Sequence, residues 1–173
     1  MHGILFDLDR TLIDSAVAEH LRRARRWRQI YLMIRQLPPY PGISDLIEEL
    51  SAAATPMAIV TSAPRPYCER VVQLWGWPIS ATICYHDTRH HKPDPAPLIL
   101  GAERIGVTTD KAISVGDSRD DIIAARRAGM RSIGALWGAE CVASLREAEP
   151  DYLCCNVGEL RQVLAELLGR PER

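Results

Sequence analysis

Apolar runs of two to five residues punctuate this chain, and the segments between them carry hydrophobic positions at helical spacing. The runs at 3–6, 57–60, 81–84, 111–115, 131–135 and 152–153 predict strands, the first of them, Gly3-Ile4-Leu5-Phe6, continuously apolar as a strand buried on both faces is. Between them, helices are expected at 15–36, 43–53, 66–74, 96–105, a stretch ending near 128, 140–147 and 157–168. Ser15 is the expected cap of the first, and Leu37-Pro38-Pro39-Tyr40-Pro41-Gly42 stops it. Strands alternating with helices pair in parallel through right-handed crossovers, which gives the α/β class: a three-layer α/β/α Rossmann-like sandwich with a parallel central sheet.

Length and composition narrow this picture. With 173 residues the chain can fold as one core domain plus a small insertion, burying about 70% of its unfolded surface. Hydrophobic residues at 47% and a net charge of −1 describe a globular protein, and the charge argues against a nucleic-acid partner. No stretch approaches the roughly 18 apolar residues of a membrane span, so no membrane association and a cytoplasmic location are expected. The five cysteines form no Cys-x-x-Cys pair and fit reduced thiols.

The chemistry collects where the strands end. In open α/β sheets ligands sit beyond the carboxyl ends of the strands, and there the first strand runs into Asp7-Leu8-Asp9-Arg10-Thr11. If the extended backbone persists through Asp9, the two carboxylates share a face, where like charges resist joint ionisation unless a cation or a reaction uses them. Three more such ends follow: Thr61-Ser62 after the second strand, Lys92-Pro93-Asp94-Pro95 before a helix, and Gly116-Asp117-Ser118-Arg119-Asp120-Asp121 after a later strand. Singly, each has a plain structural use, as a cap, a solvated ammonium or carboxylates at a helix N-terminus.

Taken in order, these segments resemble the four motifs of the haloacid dehalogenase superfamily. Tyr40-Pro41-Gly42-Ile43, Thr61-Ser62-Ala63-Pro64 and Ala128-Gly129-Met130 are similar to its phosphoglycolate phosphatase-like branch. The resemblance implies a phosphomonoester hydrolase that forms an aspartyl-phosphate, with Asp7 as nucleophile and Asp9 as general acid and base. Thr61 and Lys92 would complete the catalytic set, Thr61, Ser62, Lys92 and Arg10 would surround the phosphate, and Asp7, Asp9, Asp117 and Asp121 would hold the metal. An all-oxygen set of this kind suits Mg2+. Arg10 stands where many relatives carry glycine, which bears on the shape of the phosphate loop.

By the same resemblance, residues 1–14 and 41–173 form the catalytic core and 15–40 a reduced helical cap. A short cap implies an open site, which a second copy in a homo-oligomer could close. The substrate expected is a small phosphorylated metabolite such as phosphoglycolate or a sugar phosphate. Arg22, Arg23, Arg25, Arg26 and Arg28 surround Trp27 in the cap; Leu21, Ala24, Tyr31 and Ile34 repeat at helical spacing, which favours an amphipathic helix docked on the core over an anion-binding face. Action on nucleic-acid ends or phosphoproteins, and a non-catalytic binding or assembly role, are the competing readings.

Overall fold

The computed structural model describes residues 1–169. Six strands form one sheet: β1 (Gly3–Phe6), β2 (Met57–Val60), β3 (Ala81–Ile83), β4 (Ala112–Gly116), β5 (Arg131–Ala135) and β6 (Tyr152–Cys154). All neighbours are parallel, in the order β3-β2-β1-β4-β5-β6. The expected α/β sandwich is thus present, and strand order reverses between β1 and β4. That reversal opens a crevice at the strand ends, the usual ligand position in such sheets.

The central strands β1, β2 and β4 are buried at every position. Their alternate residues supply two cores. Ile4, Phe6, Ile59, Ile113 and Val115 join one cluster, whereas Leu5, Ala58 and Val60 join the other. The first layer holds α3 (Ile43–Ala52), α4 (Arg65–Trp75) and α8 (Val157–Leu167), through Ile43, Ile47, Tyr67, Val71, Leu160 and Leu164. The second holds α5 (Ala96–Arg104) and α6 (Arg119–Arg127), through Leu98, Ala102, Ala124 and Ala125. A smaller cluster seats α7 (Val142–Glu147) through Leu145 against Ile122 and Ala148. Each large side chain removed from water in these cores contributes about 1.5–3 kcal/mol.

The single helix expected at 15–36 is instead a broken pair. After a 3-10 turn at Ala16–Ala18 come α1 (Glu19–Arg23) and α2 (Trp27–Met33), then a second 3-10 turn at Ile34–Gln36. Arg25 takes a left-handed conformation (φ 53°), and the Arg26 amide closes back on the Leu21 carbonyl at 2.9 Å, ending α1. The break lets Leu21, Ile30 and Ile34 all reach the core, while Ala24, which an unbroken helix would turn inward, is exposed. Ser15 does not cap this segment: it is buried, and among the described residues its hydroxyl has no hydrogen-bond partner, while Asp14 Oδ1 accepts the Ala16 amide at 3.2 Å.

Candidate active site

The ladder between β1 and β4 carries the first carboxylate to its position. Phe6 pairs with Val115, and the Asp7 amide extends the ladder by donating to the Val115 carbonyl at 2.8 Å. On the other side of β1, the Thr61 amide donates to the Ile83 carbonyl at 2.9 Å. Asp7, Thr61 and Asp117 therefore emerge level, one residue beyond three adjacent strands. Lys92 arrives from the loop before α5. Its Nζ donates to Asp7 Oδ1 at 2.6 Å, to Asp121 Oδ1 at 2.6 Å and to the Val60 carbonyl at 3.0 Å. Only 7% of this lysine side chain is exposed, so the pairs are not dissipated by solvent.

Asp121 serves two ends at once. Its Oδ2 accepts the Ser118 amide (3.1 Å) and hydroxyl (2.5 Å), while the Ser118 hydroxyl accepts the Asp121 amide, a reciprocal cap that opens α6. The capping use and the site use of this residue thus coexist. Gly116 makes the fit possible, since a Cβ there would stand 2.4 Å from the Asp121 side chain. Asp120, by contrast, is exposed.

One oxygen each of Asp7, Asp117 and Asp121 lies within 4.8 Å of the others. Burial, followed by the charges of neighbouring carboxylates, pushes Asp117 up to about 8. Burial pushes Asp7 up to about 7, even though Lys92 opposes it. Burial works against the Lys92 charge, but Asp121 and Asp7 outweigh it and raise its pKa. One ammonium is thus set against three carboxylates. A second cation would relieve the repulsion, and an oxygen-only donor set suits a hard divalent ion.

Asp9 is brought close to this group but turned to other partners. The strand ends at Phe6, and a turn folds Leu12 and Ile13 back onto the Leu8 carbonyl. The Asp9 carboxylate then meets Tyr67 of α4 and Arg22 of α1 rather than joining the cluster of Asp7, Asp117 and Asp121. Its Oδ1 accepts the Tyr67 hydroxyl at 2.7 Å, and its Oδ2 faces Arg22 Nη2 at 3.3 Å. The extended backbone on which a common face for Asp7 and Asp9 depends thus ends at Phe6, and the carboxylate oxygens grouped closely enough to hold an ion are those of Asp7, Asp117 and Asp121; the part expected of Asp9 in holding a metal belongs to its main-chain carbonyl. Burial and then the charge of Asp9 push the Tyr67 hydroxyl far up, so it remains a donor.

The Arg10 side chain is anchored to the loop after β5. It sits at φ 65°, and its Nε donates to the Gly138 carbonyl at 2.8 Å. A Cβ at Gly138 would overlap the Arg10 carbonyl oxygen, at 1.5 Å. Beside it, Trp137 Nε1 donates to the Thr11 carbonyl at 3.1 Å, and Thr11 Oγ1 donates to Asp117 Oδ1 at 2.9 Å. The loop after β5 thereby clasps the turn after β1. Thr61 is buried and its hydroxyl accepts the Ala63 amide at 3.1 Å, leaving its own proton to donate; Ser62 is exposed.

The residues that sequence reasoning missed are Tyr67, Arg22 as a partner of Asp9, and the Trp137-Gly138 clasp. Arg22 was visible only as one of five arginines. His91 stacks on Tyr85 at 4.0 Å, with Arg25 5.7 Å from that ring.

The description "Haloacid dehalogenase-like hydrolase" belongs to the family whose model matches residues 17–135. The chain belongs to this family. Among curated relatives, the haloacid dehalogenase-like chain is 37% identical over 134 residues to a phosphoglycolate phosphatase of Xylella fastidiosa, covering 76% of itself and 56% of that protein. It is 32% identical over 127 residues to the phosphoglycolate phosphatase of Escherichia coli K12, covering 72% of itself and 50% of that protein. It thus spans about half the length of the curated relatives it matches. A solved hydrolase from Pseudomonas syringae shares the fold with a TM-score of 0.81 at 21% identity, over 96% of this chain and 99% of that one. Among the described residues no helix is long and apolar enough to cross a membrane.

Proposed function

We propose that this haloacid dehalogenase-like protein is a magnesium-dependent phosphomonoester hydrolase that works through an aspartyl-phosphate on Asp7. The observation that carries the reading is the three-way contact of Lys92 with Asp7, Asp121 and the Val60 carbonyl at the switch point of the sheet, with Asp117 alongside. An ammonium that close fixes the orientation of the Asp7 carboxylate, which is what a nucleophile for an in-line displacement requires. The half-length match to the phosphoglycolate phosphatases supports a small phosphorylated metabolite as the substrate class.

Asp7, Asp117 and Asp121 would hold the magnesium ion. When bound, the ion neutralises charge on the phosphoryl oxygens and on Asp7. The chain's own groups do the rest. An Asp7 oxygen forms a bond to phosphorus as the ester P–O bond breaks, and the departing oxygen takes a proton from Asp9. Water then attacks the phosphorus of the acyl phosphate, Asp9 takes a proton from it, and the bond from Asp7 to phosphorus breaks to release inorganic phosphate. Lys92 balances charge on Asp7 and the transferring group, while the Thr61 hydroxyl and nearby backbone amides donate to its oxygens.

Phosphate release from an aryl phosphate with magnesium tests this reading. Activity is expected to stop on chelation and in Asp7→Asn. Wild-type turnover in that variant would overturn the mechanism. A panel of metabolite, oligonucleotide and phosphopeptide esters then locates the substrate class, the first group being the expected one.

A further inference from the structure

Lys92 reaches the strand ends from a loop with little regular structure of its own. After β3 the chain makes a 3-10 turn at Tyr85–Asp87, and residues 88–95 then run to α5 with neither strand nor helix; Arg89 and His90 are exposed. A lysine carries its ammonium on a flexible four-carbon stem, so meeting Asp7 and Asp121 at 2.6 Å each requires a main chain held still beneath it. Beyond Lys92 the holding is by hydrogen bonds: the Asp94 amide donates to the His91 carbonyl at 2.8 Å, and the Arg127 guanidinium to the Pro93 carbonyl at 3.1 Å. Before Lys92 it is by rings. The His91 imidazole stacks on the Tyr85 ring, with 4.0 Å between centroids and 19° between planes. Tyr85 is itself fixed, its amide donating at 2.9 Å to the carbonyl of Ala63, in the loop that carries Thr61. In the same turn Asp87 accepts the Cys84 amide and the Arg65 guanidinium at 2.6 Å each. The His86 ring meets Tyr85 edge-on at 5.1 Å, and the Arg25 guanidinium lies 5.7 Å from it.

We propose that Tyr85 and His91 are a positioning pair for Lys92: the Tyr85 ring, tied through its own amide to the Thr61 loop, holds the imidazole face to face and so seats the next residue with its ammonium between Asp7 and Asp121. This deepens the phosphatase reading, and its kinetic consequence rests on that reading. The path from ring to reaction is one peptide long. A swing of the imidazole carries the Lys92 main chain with it, and a misplacement of about 1 Å at a reacting group can cost a hundredfold in rate. What His91 contributes is its flat face rather than its protons, so a phenylalanine can replace it and an alanine cannot.

The chain has two lysines, and the other, Lys111, is exposed, so nitrogen-15 labelling of lysine reads the seating directly. In the wild type the Lys92 ammonium is expected to exchange its protons with water slowly enough to give a proton–nitrogen signal that Lys92→Met removes. In Tyr85→Leu and in His91→Ala that exchange is expected to quicken tenfold or more, while Tyr85→Phe and His91→Phe, which keep a stack, retain the signal. Hydrolysis of an aryl phosphate with magnesium supplies the second readout. Tyr85→Leu is expected to lower kcat about tenfold with KM within twofold, Tyr85→Phe to restore it, and the double variant with His91→Ala to fall no further than either single one. In a Lys92→Met background, Tyr85→Leu is expected to change kcat by less than twofold, because the group it acts through is gone. A loss that persists undiminished in that background, or an ammonium signal unmoved in both Tyr85→Leu and His91→Ala, overturns the proposal. Absence of turnover by the wild type on every ester overturns the phosphatase reading instead, and the ammonium exchange still decides whether the stack seats Lys92.

Discussion

Asp7 and Asp9 lie two residues apart and sit in opposite kinds of surroundings. Around Asp7 the partners come from the sheet and from helices packed on it, and Lys92 is fastened at three points, each at 3.0 Å or less. Around Asp9 one oxygen has a short bond from Tyr67, while the other has only an ion pair to the Arg22 guanidinium at 3.3 Å and, among the described residues, no hydrogen bond. The difference teaches that the surroundings of Asp7 are preorganised by the core, whereas those of Asp9 include a loosely made ion pair; on the proposed reading these are the phosphate end and the leaving-group end of the site. Electrostatic catalysis demands rigidity at the first.

The sharpest way to break this contrast is at Asp7 itself. Asp7→Asn is expected to lower phosphate release by on the order of a thousandfold or more, since an amide is a poor nucleophile. Lys92→Met attacks the fastened half differently, leaving two buried carboxylates without their cation. Urea unfolding is expected to show a loss of about 3 kcal/mol, with turnover down about a hundredfold. Gly138→Ala tests whether the clasp matters: a Cβ overlapping the Arg10 carbonyl is expected to cost about 1–3 kcal/mol in the same measurement. Tyr67→Phe, on the Asp9 side, is expected to cost only about 1 kcal/mol and to lower turnover about tenfold, through kcat. A Tyr67→Phe enzyme as damaged as Lys92→Met would erase the distinction between the two halves.

The smallest effect expected is one of pH. In the metal-free protein Asp7 is pushed up to about 7 and Asp117 up to about 8 from an ordinary value of 3.8. Between these limits the folded chain keeps protons that the unfolded chain has released. The stability they contribute is therefore complete below about pH 4 and lost as pH rises through 7 to 8. On the proposed reading magnesium takes the place of those protons, so the rise in Tm that it produces is expected to be larger at pH 8.5 than at pH 5.5. An equal rise at both would remove the two aspartates from the ligand set.

The strand-end cluster was legible because each of its members follows an apolar run or opens a helix, so local pattern predicts where the parallel sheet delivers it. The partners of Asp9 were not. Tyr67 is an inward position on α4 and Arg22 one arginine among five, and only the packing of the cap on α4 joins them. The break in the cap escaped notice for a related reason. Periodicity registers apolar spacing but not the left-handed residue at Arg25, which a long side chain rarely adopts and which tertiary burial of both flanks imposes here. The place of Arg10 in the motif likewise says nothing of the Gly138 carbonyl, 128 residues away along the chain, which holds its side chain.

Trp27 of the cap leans against the Tyr67 ring with centroids 5.5 Å apart, and the hydroxyl of that same ring grips Asp9. The ring therefore joins the segment at 15–40 to the Asp9 carboxylate. An indole in such a place is a native optical probe: with Trp75, Trp77 and Trp137 replaced by phenylalanine, the emission of Trp27 is expected to follow how α2 packs on α4.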